Sequence, residues 1–442
     1  MKQKIVLTFL LLTATLLPIK ADGNHDLIPI YDLDLQSQNY ILVDPKTGQT
    51  LAEKNHDASI HPASITKVLT VITAIEALGE TSLDTLYTIP PEVFEGLDPI
   101  ASVAGFQEGD QVTLNDLLHG IMLPSGADAT RAISSYLTQD PEKLVVKMNR
   151  LAQRIGMKNS HFVNTSGLDD PKHLTTLDDL ALLLRYALEN PTFESIYKTE
   201  TYLTSSTPSH PNGIELTNES LSVAHQKGYT MIKGAKSGTT DLAERALSSV
   251  AEDASQSYIF ISTNAPFENR LYTQVIDHGT VYQHVIENYQ YVPLLYKNTT
   301  IQTIPIKHGR TDFEIWFKND IMSYLPKDYD PKDIKIEFIP SQKEFEAPLP
   351  KDFKMGEVRF NYKGKQLLEK EVINNEIIKL SYLKVAFEAS KIIGFILGVG
   401  LGILGVVYLI YRQWKDYRDH KYYLKKLDRR SKKRTFRKRF FF

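Results

Sequence analysis

The sequence predicts an α/β domain, then a small β-rich domain, then one membrane-spanning helix. Three observations carry this expectation. Strand-like runs stand at both ends of residues 22–290, and helical periodicity fills the stretch between them. After residue 300 the strand-like runs are short and separated by Pro, Gly and Asn turns. Ile392–Tyr411 is a run of 20 residues without a charge. Strands, then helices, then strands reads as one sheet with a helical insertion.

The first strands are Tyr40-Ile-Leu-Val-Asp44 and Thr50-Leu-Ala-Glu-Lys54, joined by the turn Pro45-Lys-Thr-Gly-Gln49. Pro62 opens a helix that runs through Leu78 and stops at Gly79. Val68, Leu69, Val71, Ile72, Ile75 and Leu78 make it apolar on most faces, so it should be buried. Residues 113–195 read as mainly helical, and strand patterns return at Ala246–Val250 and Ser257–Ser262. A boundary near residues 293–300 leads into the runs Thr300–Ile306, Phe313–Phe317, Ile334–Phe338, Glu357–Tyr362 and Ile377–Leu380.

The two ends carry targeting information. Lys2 and Lys4 precede an apolar run from Ile5 to Leu17, followed by Pro18, Lys20 and Ala21. That is the pattern of a signal peptide over residues 1–21, with the mature chain starting near Asp22. A helix over Ile392–Tyr411 would be about 30 Å long, the thickness of the hydrocarbon core. The segment from Arg412 to Phe442 holds 14 Lys and Arg against three Asp, whereas the rest of the chain is acidic. Positive charge stays cytoplasmic, which places residues 22–391 outside the cell and 412–442 inside. The basic segment also attracts anionic lipid. It gives no case for nucleic-acid binding, because the large domain is acidic. Gly394, Gly398 and Gly402 recur every four residues and offer a face for homo-association in the membrane. The chain has no cysteine, which excludes disulfides, zinc–thiolate sites and cysteine catalysis.

Chemistry concentrates at three short motifs. Ser64-Ile-Thr-Lys67 begins the buried helix, and residues three apart share a helical face. A serine hydroxyl needs a neighbouring base to become nucleophilic, and apolar surroundings disfavour a charged ammonium, so Lys67 is a candidate base for Ser64. The helix N-terminus adds donors where an oxyanion would form. Leu123-Pro-Ser-Gly-Ala-Asp128 lies in a turn between helical stretches, where Ser125 is placed to pass a proton to a leaving amine. Lys236-Ser-Gly238, followed by Thr239, reads as a strand on which Lys236 and Ser237 bind a carboxylate and Gly238 permits close backbone approach. Three decoys match by letter. Ser195-Ile-Tyr-Lys198 repeats the first spacing, Lys46-Thr-Gly48 fits a hairpin turn, and Ser37-Gln-Asn39 lies upstream of the nucleophile. Order and context select Ser64, Ser125 and Lys236.

With these motifs go Ile41-Leu-Val-Asp-Pro-Lys-Thr-Gly48, Asn149-Arg-Leu-Ala-Gln-Arg-Ile-Gly-Met157, His161-Phe-Val-Asn-Thr-Ser-Gly-Leu168 and Leu177-Asp-Asp-Leu-Ala181. Over roughly residues 35–290 the chain resembles the low-molecular-weight penicillin-binding proteins, the D-alanyl-D-alanine carboxypeptidases of serine peptidase family S11. The resemblance implies a β-lactamase/transpeptidase-like domain over 22–296, an antiparallel sheet with helices on both sides and a helical insertion, and a β-rich stalk over 297–382. It implies that Ser64 attacks the bond between two terminal D-alanines of a peptidoglycan stem peptide, with Lys67 as base and Ser125 as proton donor. Lys236, with Ser237, would hold the terminal carboxylate, Gly238 would let the substrate backbone approach, and the N–H groups of Ser64 and Thr239 would form the oxyanion hole. No metal or organic cofactor is implied, and β-lactams would be covalent inhibitors. One position departs from the pattern: the second motif usually ends in Asn, and here it is Ala127. That leaves open a weakened peptidoglycan- or penicillin-binding regulatory protein, or a β-lactamase-like hydrolase, beside the carboxypeptidase.

Overall fold

The computed structural model describes residues 26–438 except 141, 254–255 and 268–271, with the backbone alone for 433–438. The signal-peptide segment lies outside the described residues. The chain divides into two compact units, one of residues up to Val292 with Ser323–Tyr329, the other of Pro293–Met322 with Asp330 onward.

The first unit is built on five strands: β1 (Asn39–Val43), β2 (Thr50–Lys54), β3 (Ile232–Thr240), β4 (Glu244–Glu252) and β5 (Ser257–Ala265). They form one sheet in the order β2-β1-β5-β4-β3, antiparallel at every junction. β4 and β5 extend past the runs read from sequence, to Glu244–Glu252 and Ser257–Ala265, because charged and polar residues at their ends, Glu244, Arg245, Glu252, Thr263 and Asn264, hide the strand pattern. The β1–β2 turn is pinned by Asp44 Oδ1, which accepts from the Lys46 N–H at 2.8 Å.

Everything between β2 and β3 is the insertion. Its main helices are α1 (Thr66–Leu78), α2 (Leu114–Met122), α3 (Ala127–Thr138), α4 (Leu144–Ile155), α5 (Leu177–Leu188), α6 (Pro191–Tyr197) and α7 (Glu219–Gln226). The N-termini of α2, α5 and α6 are capped by Thr113, Thr176 and Asn190, whose side chains accept the orphan N–H groups. α1 is buried on nearly every face, at the centre of a core that includes Val68, Leu69, Val71 and Ile72. The helix expected from Pro62 begins instead with a 3-10 turn, Ala63–Ile65, and becomes α-helical at Thr66. A second core, on the other sheet face, packs α7 and α8 (Thr273–Asn288) against Tyr40, Leu42, Tyr258 and Phe260. Helices thus cover both faces of the sheet.

The second unit holds a three-stranded antiparallel sheet, β6 (Ile334–Pro340), β7 (Lys354–Tyr362) and β8 (Lys365–Ile373), with β7 central. The run read as Thr300–Ile306 is two strands, Gln302–Ile304 and Ile306–Lys307, split where Pro305 cannot donate to a ladder. The run Phe313–Phe317 pairs only over Phe313–Ile315. Ile377–Leu380 makes single bridges, Ile378 to Leu349 and Leu380 to Gly309, and is not a strand. The chain then enters α9 (Tyr382–Lys438), a continuous 57-residue helix. Its apolar stretch has a mean hydropathy of 2.5 and is long and apolar enough to cross a membrane. The helix therefore starts ten residues before the uncharged run and continues through most of the basic segment.

Candidate active site

Ser64 sits in the 3-10 turn that leads into α1. The preceding residue, Ala63, has φ of +46°, a left-handed conformation costly for a residue with a Cβ. Two glycines hold this turn from opposite elements. A Cβ on Gly238 of β3 would lie 2.7 Å from the Ser64 nitrogen, and one on Gly167 would lie 1.8 Å from the Ala63 carbonyl oxygen. Both approaches need the missing side chain.

One turn on, Lys67 is 3 % exposed. Its Nζ lies 3.0 Å from Ser64 Oγ and donates to the Ser166 carbonyl at 2.7 Å. Burial pulls the Lys67 ammonium well below the usual lysine range; the nearby Lys236 charge acts in the same direction and Asp128 opposes it. A neutral amine beside Ser64 Oγ has a lone pair to accept the hydroxyl proton.

The Ser166 carbonyl is placed by its own loop. Asn164 Oδ1 accepts the Gly167 N–H at 2.7 Å, and its amide donates to the Leu168 carbonyl at 3.0 Å. Thr70 Oγ1, from α1, donates to the Thr165 carbonyl at 2.7 Å. His173 Nδ1 accepts the Val163 N–H at 3.3 Å, so its Nε2 carries the proton shared with Thr66 Oγ1 at 2.9 Å. Burial lowers the His173 pKa to about 4, which keeps that ring neutral.

Ser125 stands in the turn before α3 with φ of +66°, and its Oγ is buried with no hydrogen-bond partner among the described residues. A buried hydroxyl left unpaired costs about 1–3 kcal/mol, a deficit that a ligand can remove. Asp128, 2 % exposed, spends its carboxylate on the N–H groups of Ala104, Gly105 and Phe106 at 2.7, 2.9 and 3.2 Å. It ties the Ser125 turn to the 104–106 loop and does not replace the amide absent at Ala127. Beside Ala127 lies a cavity of about 210 Å³, lined also by Thr130, Asn164 and Ser166.

Lys236 lies on β3, 2 % exposed, and forms no ion pair among the described residues. Burial pushes its pKa down to about 7. β3 is the edge strand of the sheet, so alternate N–H groups along it face away from β4. Ser237 is half-buried and Thr239 exposed on this edge.

The decoys are elsewhere. Lys198 pairs with Glu194 at 2.6 Å and Glu252 at 2.8 Å, and these partners outweigh its partial burial and raise its pKa, so it is a charged side chain and not a base. Ser37 donates to Asp277 at 2.6 Å. Lys46 lies in the β1–β2 turn. Sequence reasoning gave no role to Asn164, Ser166, Gly167 or His173. The signal available was Asn164-Thr-Ser-Gly167, a turn pattern next to an apolar segment.

A serine hydroxyl held by a buried lysine at the start of a core helix, against the edge of an antiparallel sheet covered by helices on both faces, defines the class of serine–lysine hydrolases. The chain belongs to the D-alanyl-D-alanine carboxypeptidase family: the peptidase S11 model of that description matches residues 27–266. The model of the C-terminal domain of penicillin-binding protein 5 matches residues 289–380. The chain is 27% identical over 357 residues to the D-alanyl-D-alanine carboxypeptidase DacF of Bacillus subtilis, covering 79% of this chain and 87% of the relative. It is 26% identical over 392 residues to DacA of Escherichia coli, also a D-alanyl-D-alanine carboxypeptidase, covering 84% and 91%. Penicillin binding protein 5 of Haemophilus influenzae shares the fold, with a TM-score of 0.65 at 23% identity over 78% of this chain and 98% of that one.

Proposed function

We propose that this protein is a serine-type D-alanyl-D-alanine carboxypeptidase that removes the terminal D-alanine from peptidoglycan stem peptides. One observation carries the reading: the buried Lys67 amine lies 3.0 Å from Ser64 Oγ. Lys67 takes the Ser64 proton as Oγ attacks the penultimate D-alanine carbonyl, and the N–H groups of Ser64 and Thr239 hold the oxyanion. Ser125 relays that proton, taking it from the Lys67 ammonium as it gives its own to the departing amine, so that both side chains return to their starting state. Lys236, buried and without an ion pair among the described residues, pairs with the terminal carboxylate, aided by the Ser237 hydroxyl and by the space at Gly238. Water then releases the acyl-enzyme. A β-lactam would stop at the acyl stage.

The supporting experiment is mass spectrometry of the purified protein with a stem pentapeptide and with a β-lactam. The expected adduct is on Ser64, lost in Ser64→Ala. An adduct on another residue, or none, would falsify the assignment. Ala127 favours a second reading, a penicillin- or peptidoglycan-binding regulatory protein. It predicts an acyl-enzyme that forms and persists.

We assign the peptidase to residues 22–296, a stalk to 297–382, the membrane span to 392–411, and a cytoplasmic basic segment to 412–442. The apolar window within α9 and the charge asymmetry around it support the span and the orientation. Gly394, Gly398 and Gly402 recur every fourth residue along α9, one helical face with no Cβ to keep a second helix at a distance, which supports helix–helix association in the bilayer.

A further inference from the structure

The second unit contains a cavity of about 650 Å³ whose walls come from the strand regions and from the first turns of α9. Its lining is mixed, with the rings of Phe338, Phe345 and Phe387 set among charged side chains. Lys343, Lys384 and Lys391 also line it, all three exposed and without an ion pair among the described residues. The nearby acids are engaged. Glu388 accepts from His308 at 2.8 Å, Asp312 accepts the Ile306 N–H at 3.3 Å, and Glu344 stands 3.9 Å from Lys307. His308 also reaches Glu346 at 2.9 Å, so its ring ties α9 to the strands beside the cavity.

The position of the cavity along α9 gives it a distinct environment. Lys391 is the residue before the uncharged run, and Lys384 is two turns earlier. At 1.5 Å per residue these amines cover about 10 Å of axis outward from the hydrocarbon edge, enough to span the roughly 5–8 Å headgroup layer of one leaflet. On the same turns Leu383 is 84 % exposed and Phe387 62 %, apolar surface that water disfavours and a lipid interface accepts.

We propose that this cavity seats the phosphodiester headgroup of an anionic phospholipid from the outer leaflet. The phosphate pairs with Lys343, Lys384 and Lys391, and the glycerol and upper acyl segments lie against Phe338, Phe345 and Phe387. The proposal rests on the reading of residues 392–411 as a membrane span, and is independent of the chemistry at Ser64. Each lysine near a charged lipid surface contributes about a fivefold change in affinity.

The test uses the full chain in lipid nanodiscs of phosphatidylcholine doped with a photoactivatable lipid, either phosphatidylglycerol or phosphatidylcholine, with cross-links mapped by mass spectrometry. Adducts from the anionic probe should concentrate within residues 338–345 and 384–391, several-fold above those from the choline probe. The triple variant Lys343→Glu, Lys384→Glu, Lys391→Glu should lose them by more than tenfold while acylation at Ser64 persists and the far-UV circular dichroism and protease resistance of residues 297–382 match the unaltered chain, which together report that both units are folded. Lys425→Glu with Lys426→Glu, on the cytoplasmic side, should leave them in place. Equal labelling by both lipids, labelling insensitive to the triple variant, or displacement by millimolar inorganic phosphate at matched ionic strength would overturn the proposal. A chain that does not enter the disc would overturn the span and the lipid site together; entry without selective labelling would overturn the lipid site alone.

Discussion

Lys67 and Lys236 are both buried, and the proposed chemistry asks opposite things of them. Lys67 must be neutral to accept a proton, so acylation should fall as acid protonates it. Lys236 must be charged to hold a carboxylate, and burial pushes its pKa down to about 7. Above that pH the free enzyme loses the cation. For a lysine whose folded pKa is lowered, the charged form is populated on the acid side. Carboxylate recognition should therefore weaken by up to about tenfold per pH unit as pH rises beyond this value. A bell-shaped kcat/KM is expected for a peptide with a free terminal carboxylate, and its alkaline limb should disappear for a peptide whose C-terminus is esterified. An alkaline limb of the same size for both substrates would remove Lys236 from this role. The missing amide is tested in the same scale. Ala127→Asn adds a side chain next to a cavity of about 210 Å³. It should speed acylation by a fluorescent penicillin by roughly tenfold, the worth of one hydrogen bond to a reacting group. No change would indicate that the Ser166 carbonyl already orients Lys67 sufficiently.

At the scale of the elements, the nucleophile is aligned by a turn that is strained at Ala63 and clamped by β3 and the 164–168 loop. Gly238→Ala would place its Cβ 2.7 Å from both Ser64 N and Ala63 Cβ. Backbone on one side and a core residue on the other leave little room to yield, so Ser64 must move. A displacement near 1 Å costs about a hundredfold in rate, whereas overpacking of this kind costs about 1–3 kcal/mol of stability. The expected result is a protein with a cooperative thermal transition and acylation slowed by about two orders of magnitude. Unaltered acylation would mean that the clamp is not what aligns Ser64. The sequence disclosed the three motif segments because each needs rare residue types at fixed spacing beside an apolar run. It did not disclose the clamp, because Gly167 lies far from Ser64 in the chain and its close approach is a tertiary fact. β8 escaped notice for a different reason. Its sequence, Lys365 to Ile373, buries only Leu367 and Val372, and charged residues on an edge strand obscure the period-two pattern.

At the scale of the molecule, the division of the chain is less simple than a cut near residue 296, since Ser323–Tyr329 belongs to the first unit. Tyr324, 3 % exposed, packs its ring 5.4 Å from Tyr258 and 4.8 Å from Tyr291. A chain ending at Tyr296 lacks this ring and should lose about 3 kcal/mol or more, the cost of deleting a buried aromatic. A chain ending at Ser390 keeps the first unit and the strands of the second, and removes the apolar run with everything after it. It should be soluble without detergent, match the full-length protein in thermal midpoint of the first unit, and acylate at the same rate. The full-length protein should remain with the membrane, and protease added to intact protoplasts should digest residues 22–391 while sparing the basic segment. The positive-inside bias behind this orientation is strong, with 14 Lys and Arg against three Asp beyond Tyr411. Protection of the large domain in intact protoplasts, with exposure of the basic segment, would reverse the orientation and remove the enzyme from any cell-wall substrate. Full acylation by the Ser390 chain beside a destabilised Tyr296 chain would place the dependence on the second unit in folding and not in chemistry.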